Sequence, residues 1–253
     1  MEEQRSEPVL VTQADGVCEL RLNRPEKRNA ITLAMYDALW DAVVRAESDD
    51  SVKVILFSGA GASFTAGNDL ADFMRGPADL SDRGPARFIR LLPKIRKVLR
   101  AAVHGATVGI GVTMLLHCDL VVAARGARLS MPFVKLGLVP EAASSLLLPR
   151  LLGHQRAAEL LFLGTVIDAG TAAAWGMINR VVEDERLAEE ALALARQVAG
   201  QPAGALRATK QLLRSETGVT ARIEEELQAF QERLGSGEFR NAAQAFFSKG
   251  RPG

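Results

Sequence analysis

Residues 101–124 read AAVHGATVGIGVTMLLHCDLVVAA, and this stretch decides the fold. It predicts a strand ending at Val103, a tight turn at His104-Gly105, a helix opened by Gly109-Ile110-Gly111, and a second strand at Leu120-Val121-Val122. A helix starting at Gly109 leaves its first backbone N–H groups without intrahelical acceptors. Its dipole favours negative charge in front of them. The glycines let a ligand approach the backbone. The stretch therefore predicts an anion site made of main chain.

Two familiar phosphate sites do not fit. A dinucleotide fingerprint needs a third glycine where Met114 stands, and a carboxylate ending the next strand; Asp119 comes too soon and Glu141 too late. No G-x-x-x-x-G-K-[ST] occurs. An oxyanion that develops during a reaction is the remaining candidate, and it requires a second donor and an acid or base.

With 253 residues, the chain can form one large domain, or a domain with an appendage. Its 31 basic and 30 acidic residues leave no global charge for nucleic acid or an anionic membrane. Cys18 and Cys118 read as reduced core thiols of a cytoplasmic protein. No Cys/His spacing suggests a metal, the acidic N-terminal residues are no signal peptide, and no apolar run reaches membrane-spanning length.

Outward from the central stretch, Val9 to Thr12 and Val17 to Leu22 flank Asp15-Gly16 as a hairpin. A polar loop follows with Arg24, Lys27 and Arg28, either simply solvated or in contact with phosphate. Thr32 caps a helix carrying Met35, Leu39 and Val43 on one face. Phe64 to Leu70 repeats the pattern of small residues at a strand end, with Asp69 read as a helix cap. Arg75 to Pro85 reads as a polar surface lid, and Ala86 to Leu99 as a helix bent at Pro93. Glu141 stands among apolar and small residues. It is either a charge placed to suit a helix start or a desolvated base. Asp184 is expected to cap a long helix, and from Pro202 onward only helices are predicted. The pattern is α/β followed by a helical tail.

These pieces, in this order and spacing, resemble the crotonase (enoyl-CoA hydratase/isomerase) superfamily over nearly the whole length. The resemblance rests on Asn23-Arg24-Pro25 to Asn29-Ala30, Phe64 to Leu70, the central stretch, Leu136 to Pro140, and Ala172 to Val181. It implies a spiral of ββα turns in residues 1–195 and a helical region, 196–253, that assembles homotrimers or hexamers. It also implies an acyl-CoA thioester as substrate, whose carbonyl sits between the backbone N–H groups of Asn68 and Ile110. CoA is part of that substrate and no separate cofactor is implied. Arg24, Lys27, Arg28, Ala66, Leu70, Phe133, Phe246 and Lys249 are implied as CoA or substrate contacts.

The resemblance also bears on the reaction. The positions where hydratases carry two glutamates hold Thr113 and Phe133 here, and neither exchanges protons at neutral pH. Glu141 falls where the Δ3,Δ2-enoyl-CoA isomerases carry their single catalytic glutamate. The expected function is thus a shift of the 3-enoyl double bond to the 2-trans position by one base. A 2-enoyl-CoA hydratase, another crotonase-type thioester reaction and a non-catalytic acyl-CoA binder are the alternatives. His104, where relatives usually have Asn, reads as a turn residue.

Overall fold

The computed structural model describes residues 7–75, 84–214 and 218–249, the side chains of Arg75 and Lys249 excepted. Most of the expected lid at Arg75 to Pro85 lies outside the described residues.

Strands β1 (Val9–Ala14) and β2 (Val17–Leu22) form an antiparallel hairpin. Asp15 and Gly16 both have positive φ, 53° and 76°, the backbone that a two-residue hairpin turn demands. Helix α1 (Leu33–Ser48) starts at Thr32, whose Oγ1 accepts the Met35 N–H at 3.2 Å, and crosses to β3 (Val54–Gly59), parallel to β2. After α2 (Leu70–Arg75) and α3 (Gly84–Leu91), β4 (Val98–Val103) pairs with β3. The chain then leaves this sheet through β5 (Ala106–Val108) and α4 (Ile110–Thr113), and returns as β6 (Leu120–Ala124) beside β4. A second such turn comprises β7 (Arg128–Ser130), α5 (Ser144–Leu152), α6 (His154–Leu163), β8 (Ile167–Asp168), α7 (Ala169–Ala174) and β9 (Arg180–Val182). The main sheet runs β1-β2-β3-β4-β6-β9, and β5-β7-β8 form a smaller one.

Val54, Ile55, Leu56 and Phe57 are all buried because the parallel sheet is covered on both faces. Ile55 and Phe57 face Leu39 and Val43 of α1. Val54 and Leu56 face Ala191 and Ala195 of α8 (Leu187–Ala199). The tail comprises α9 (Ala203–Leu213), α10 (Val219–Leu234) and α11 (Gly237–Lys249). It folds back, so that Phe230 and Phe239 join the core that holds Phe88 and Phe64.

Two expectations are corrected. The helical pattern read through Pro93 to Leu99 ends at Leu91, with one tight turn over Leu92–Lys94, and Val98-Leu99 belong to β4. Proline has no N–H to continue a helix, and β-branched Val98 pairs with Val54. Asp184 does not cap α8, which begins three residues later; its carboxylate accepts the Gly126 N–H at 2.8 Å instead.

Candidate active site

Two main-chain turns meet across one cleft. In the first, residues 28–31 pair with 66–69. Arg28 O accepts Ala66 N–H at 2.8 Å, Gly67 O accepts Ile31 N–H at 2.8 Å, and Ile31 O accepts Asp69 N–H at 2.9 Å. That exchange leaves Asn68 N–H without an acceptor among the described residues. Gly67 has φ +88°, and a Cβ there would lie 3.0 Å from Val108 O, so only glycine lets the two turns approach. In the second turn, Gly109 O accepts Val112 and Thr113 N–H at 2.8 and 3.0 Å. The first-turn N–H of Ile110 has no intrahelical acceptor. The Asn68 side chain is tied down separately: its Oδ1 accepts from the buried Tyr36 hydroxyl.

Both turns line a cleft of about 1140 Å³. Arg24, Lys27, Arg28, Ala66, Leu70, Phe133 and Phe246 line it too. Lys27 and Arg28 are exposed, whereas Arg24 is already engaged, its Nη1 lying 2.6 Å from Asp69 Oδ2. Asp69 also caps α2, its Oδ1 accepting Ala71 and Asp72 N–H at 3.0 and 3.2 Å. Lys249 ends α11, and its side chain lies outside the described part. His104 acts in a turn, its Nε2 meeting Gly61 O at 2.9 Å.

Glu141 is 2% exposed. Thr113 Oγ1 donates to its Oε1, while Oε2 has no partner among the described residues. Burial pushes its pKa up to about 8; the Thr113 bond opposes this and the charge of Glu226 adds to it. Beside it opens an apolar cavity of about 400 Å³ lined by Phe73, Ile89, Leu227, Phe230 and also Asn68. Asn68 thus belongs both to this cavity and to the cleft. Of the two sequence readings of Glu141, complementing a helix start is the one the geometry assigns elsewhere. The N–H groups of Ala143 and Ser145 at the start of α5 donate to Glu226, at 2.6 and 2.9 Å.

Four supporting residues have roles that their local sequence does not show. Buried Asn29 knots the cationic loop: its Nδ2 donates to Ala60 O and Ser63 O at 2.8 and 2.7 Å, and its Oδ1 accepts Arg24 N–H at 2.8 Å. Tyr36 holds Asn68, and Glu226 holds the turn after Glu141. His117, whose Nε2–H donates to Ala142 O at 2.7 Å, is kept neutral by burial, its pKa lowered to about 4. Only the partners, up to 83 residues away in the chain, reveal these roles.

A mixed α/β spiral with a packed-back helical tail, and two glycine turns facing one cleft, is the fold of the crotonases. OdaA of Pseudomonas aeruginosa superposes with a TM-score of 0.92 at 44% identity, over 95% of this chain and 99% of that one. The model of the enoyl-CoA hydratase/isomerase family matches residues 12–253. The 1,2-epoxyphenylacetyl-CoA isomerase of Escherichia coli strain K12 is 39% identical over 246 residues, 94% of each chain. Enoyl-CoA delta isomerase 2 of Rattus norvegicus is 34% identical over 97% of this chain and 65% of its own. The chain belongs to the enoyl-CoA hydratase/isomerase family, and is an acyl-CoA enzyme of that family.

Proposed function

We propose that the protein moves the double bond of a 3-enoyl-CoA to the 2-trans position with Glu141 as its single acid/base. The observation that carries this is the buried carboxylate with one unpartnered oxygen, facing the same cavity as Asn68. The thioester oxygen lies between Asn68 N–H and Ile110 N–H. Glu141 takes a proton from carbon 2, and negative charge moves onto that oxygen as the dienolate forms. Protonated Glu141 then delivers the proton to carbon 4. Each backbone donor aimed at such charge is worth about 3 kcal/mol. A base whose pKa lies near the working pH serves both half-reactions. The thioester activates its own α-proton, so this reading requires no cofactor.

Hydration needs a second proton-transfer group and room for water. Thr113 is committed to Glu141, and Phe133 is 5% exposed. A second reading is supported by the E. coli relative: an aromatic acyl thioester, with Phe73 and Phe230 as ring neighbours, their centroids 6.5 Å apart. Lys27 and Arg28 contact the CoA phosphates. The bare apolar side chains of Phe162, Leu212 and Leu213, 67–87% exposed, support assembly into trimers or hexamers.

The deciding experiment incubates the protein with trans-3-hexenoyl-CoA and, separately, with crotonyl-CoA. The expected result is 2-enoyl product from the first, abolished in Glu141→Gln, with no hydration of the second. Hydration of crotonyl-CoA at a comparable rate overturns the single-base reading. Turnover of arylacetyl-CoA esters alone selects the aromatic one.

A further inference from the structure

The turn that carries Glu141 is held by a group from a distant helix. Ala142 and Ala143 both adopt left-handed backbone, with φ of 58° and 57°, and both are fully buried. Residues with a Cβ, asparagine and aspartate apart, avoid this region, so something must hold these alanines there. On one side, Glu226 accepts the N–H groups of Ala143 and Ser145. On the other, His117 donates to Ala142 O. Glu226 projects from α10 and is 6% exposed, and the same helix supplies the cavity wall through Leu227 and Phe230. Wall and clamp are therefore carried by one helix.

We propose that Glu226 is a positioning residue, whose carboxylate clamps the left-handed 142–143 turn and so sets where Glu141 stands in the cavity. The inference rests on the reading of Glu141 as the base. It has an electrostatic consequence, because Glu226 is a like charge close to Glu141. The groups facing Glu226 are Arg222 on its own helix, Ser145 on α5, and Glu141. Those facing Glu141 are Thr113 of α4, Tyr36 of α1 and Glu226. Arg90 of α3, paired with Glu224 at 2.7 Å, and Glu232 line the same cavity. Glu226 is the like charge that raises the Glu141 pKa, so neutralising it makes Glu141 a weaker base.

The test compares wild type, Glu226→Gln, Glu226→Ala and Glu226→Ala/Ala143→Gly. Its first readout is the ¹³C-carboxyl titration of Glu141, assigned by its loss in Glu141→Gln, which uses no substrate. In Glu226→Gln the midpoint is expected to fall by about one pH unit. On trans-3-hexenoyl-CoA, kcat is expected to fall about tenfold or more with KM little changed, because a displaced base costs rate rather than binding. Ala143→Gly is expected to restore most of the kcat lost in Glu226→Ala, since glycine takes the left-handed turn unaided. A purely structural residue would lower thermal stability without moving the Glu141 midpoint. An unmoved midpoint in a folded variant overturns the proposal, as does an unchanged kcat. If Glu226→Gln does not fold, the double variant, which also lacks the Glu226 charge, is read by its Glu141 midpoint, and an unmoved midpoint there overturns the proposal. A moved midpoint in a protein inactive on 3-enoyl-CoA overturns the isomerase reading alone.

Discussion

Thr113 Oγ1 donates to Glu141 Oε1, leaving Oε2 as the carboxylate oxygen free to take a proton. Thr113, which the resemblance sets at a hydratase glutamate position, thus orients the Glu141 carboxylate. With the acid/base pKa raised to about 8, kcat/KM on a 3-enoyl-CoA is expected to rise with pH up to that value. Replacing Glu141 by Gln is expected to cost about 10²–10⁴-fold in kcat, the range for a positioned acid/base. Rate profiles from pH 6 to 9.5 check both, and a flat profile would exclude a titrating Glu141.

The same shift makes a statement about stability. The folded-state pKa of Glu141 lies above its unfolded value, so the folded protein favours the protonated acid. That contribution is full below the unfolded pKa of 4.5 and is lost as pH rises through about 8. Glu141→Gln, which cannot ionise, is therefore expected to be more stable than wild type at pH 8, by up to a few kcal/mol, and to melt higher. The gap closes near pH 4.5. Melting both proteins across that window checks the sign.

Thr113→Val removes the one bond that lowers the Glu141 pKa. The rising limb of the pH–rate profile is expected to move upward by about one unit, with kcat at pH 7 reduced. An unmoved limb would mean that Thr113 does not touch the reacting form of Glu141.

Tyr36→Phe keeps the ring, whose centroid lies 5.7 Å from that of Phe88, and deletes the hydroxyl that holds Asn68. A loosened donor turn is expected to lower kcat about tenfold and to leave melting within about 1 kcal/mol of wild type. Equal loss in KM and none in kcat would place Tyr36 outside the reaction.

Lys27→Ala with Arg28→Ala is expected to raise KM for CoA thioesters severalfold, to leave kcat unchanged, and to flatten the dependence of KM on salt. Arg24→Ala differs in kind, since Arg24 is locked to Asp69 and its loss also loosens the start of α2.

Much of the frame was legible in the chain itself. The strand–turn–helix over residues 101–124, the Asp15-Gly16 hairpin, the Thr32 cap and the helical tail all follow from local periodicity, glycine and capping chemistry. Where local signals had a tertiary competitor, they failed. Asp184 found Gly126 rather than the start of α8, and Val98 joined a strand rather than a helix. Glu141 was legible as a carboxylate in apolar company, but the sequence left two roles open for it.

What the sequence by itself determined is therefore the inventory: two glycine turns that free a backbone N–H, a cationic loop, and one carboxylate among small residues. Those are local properties of backbone freedom and of polarity against neighbours. Only the tertiary structure decided which groups face each other. It set Thr113 on one oxygen of Glu141, gave the start of α5 to Glu226, and hung the Asn68 turn on Tyr36. Such pairings join residues 28 to 83 positions apart, and a contact of that range depends on how the sheet and helices pack, which no local pattern encodes.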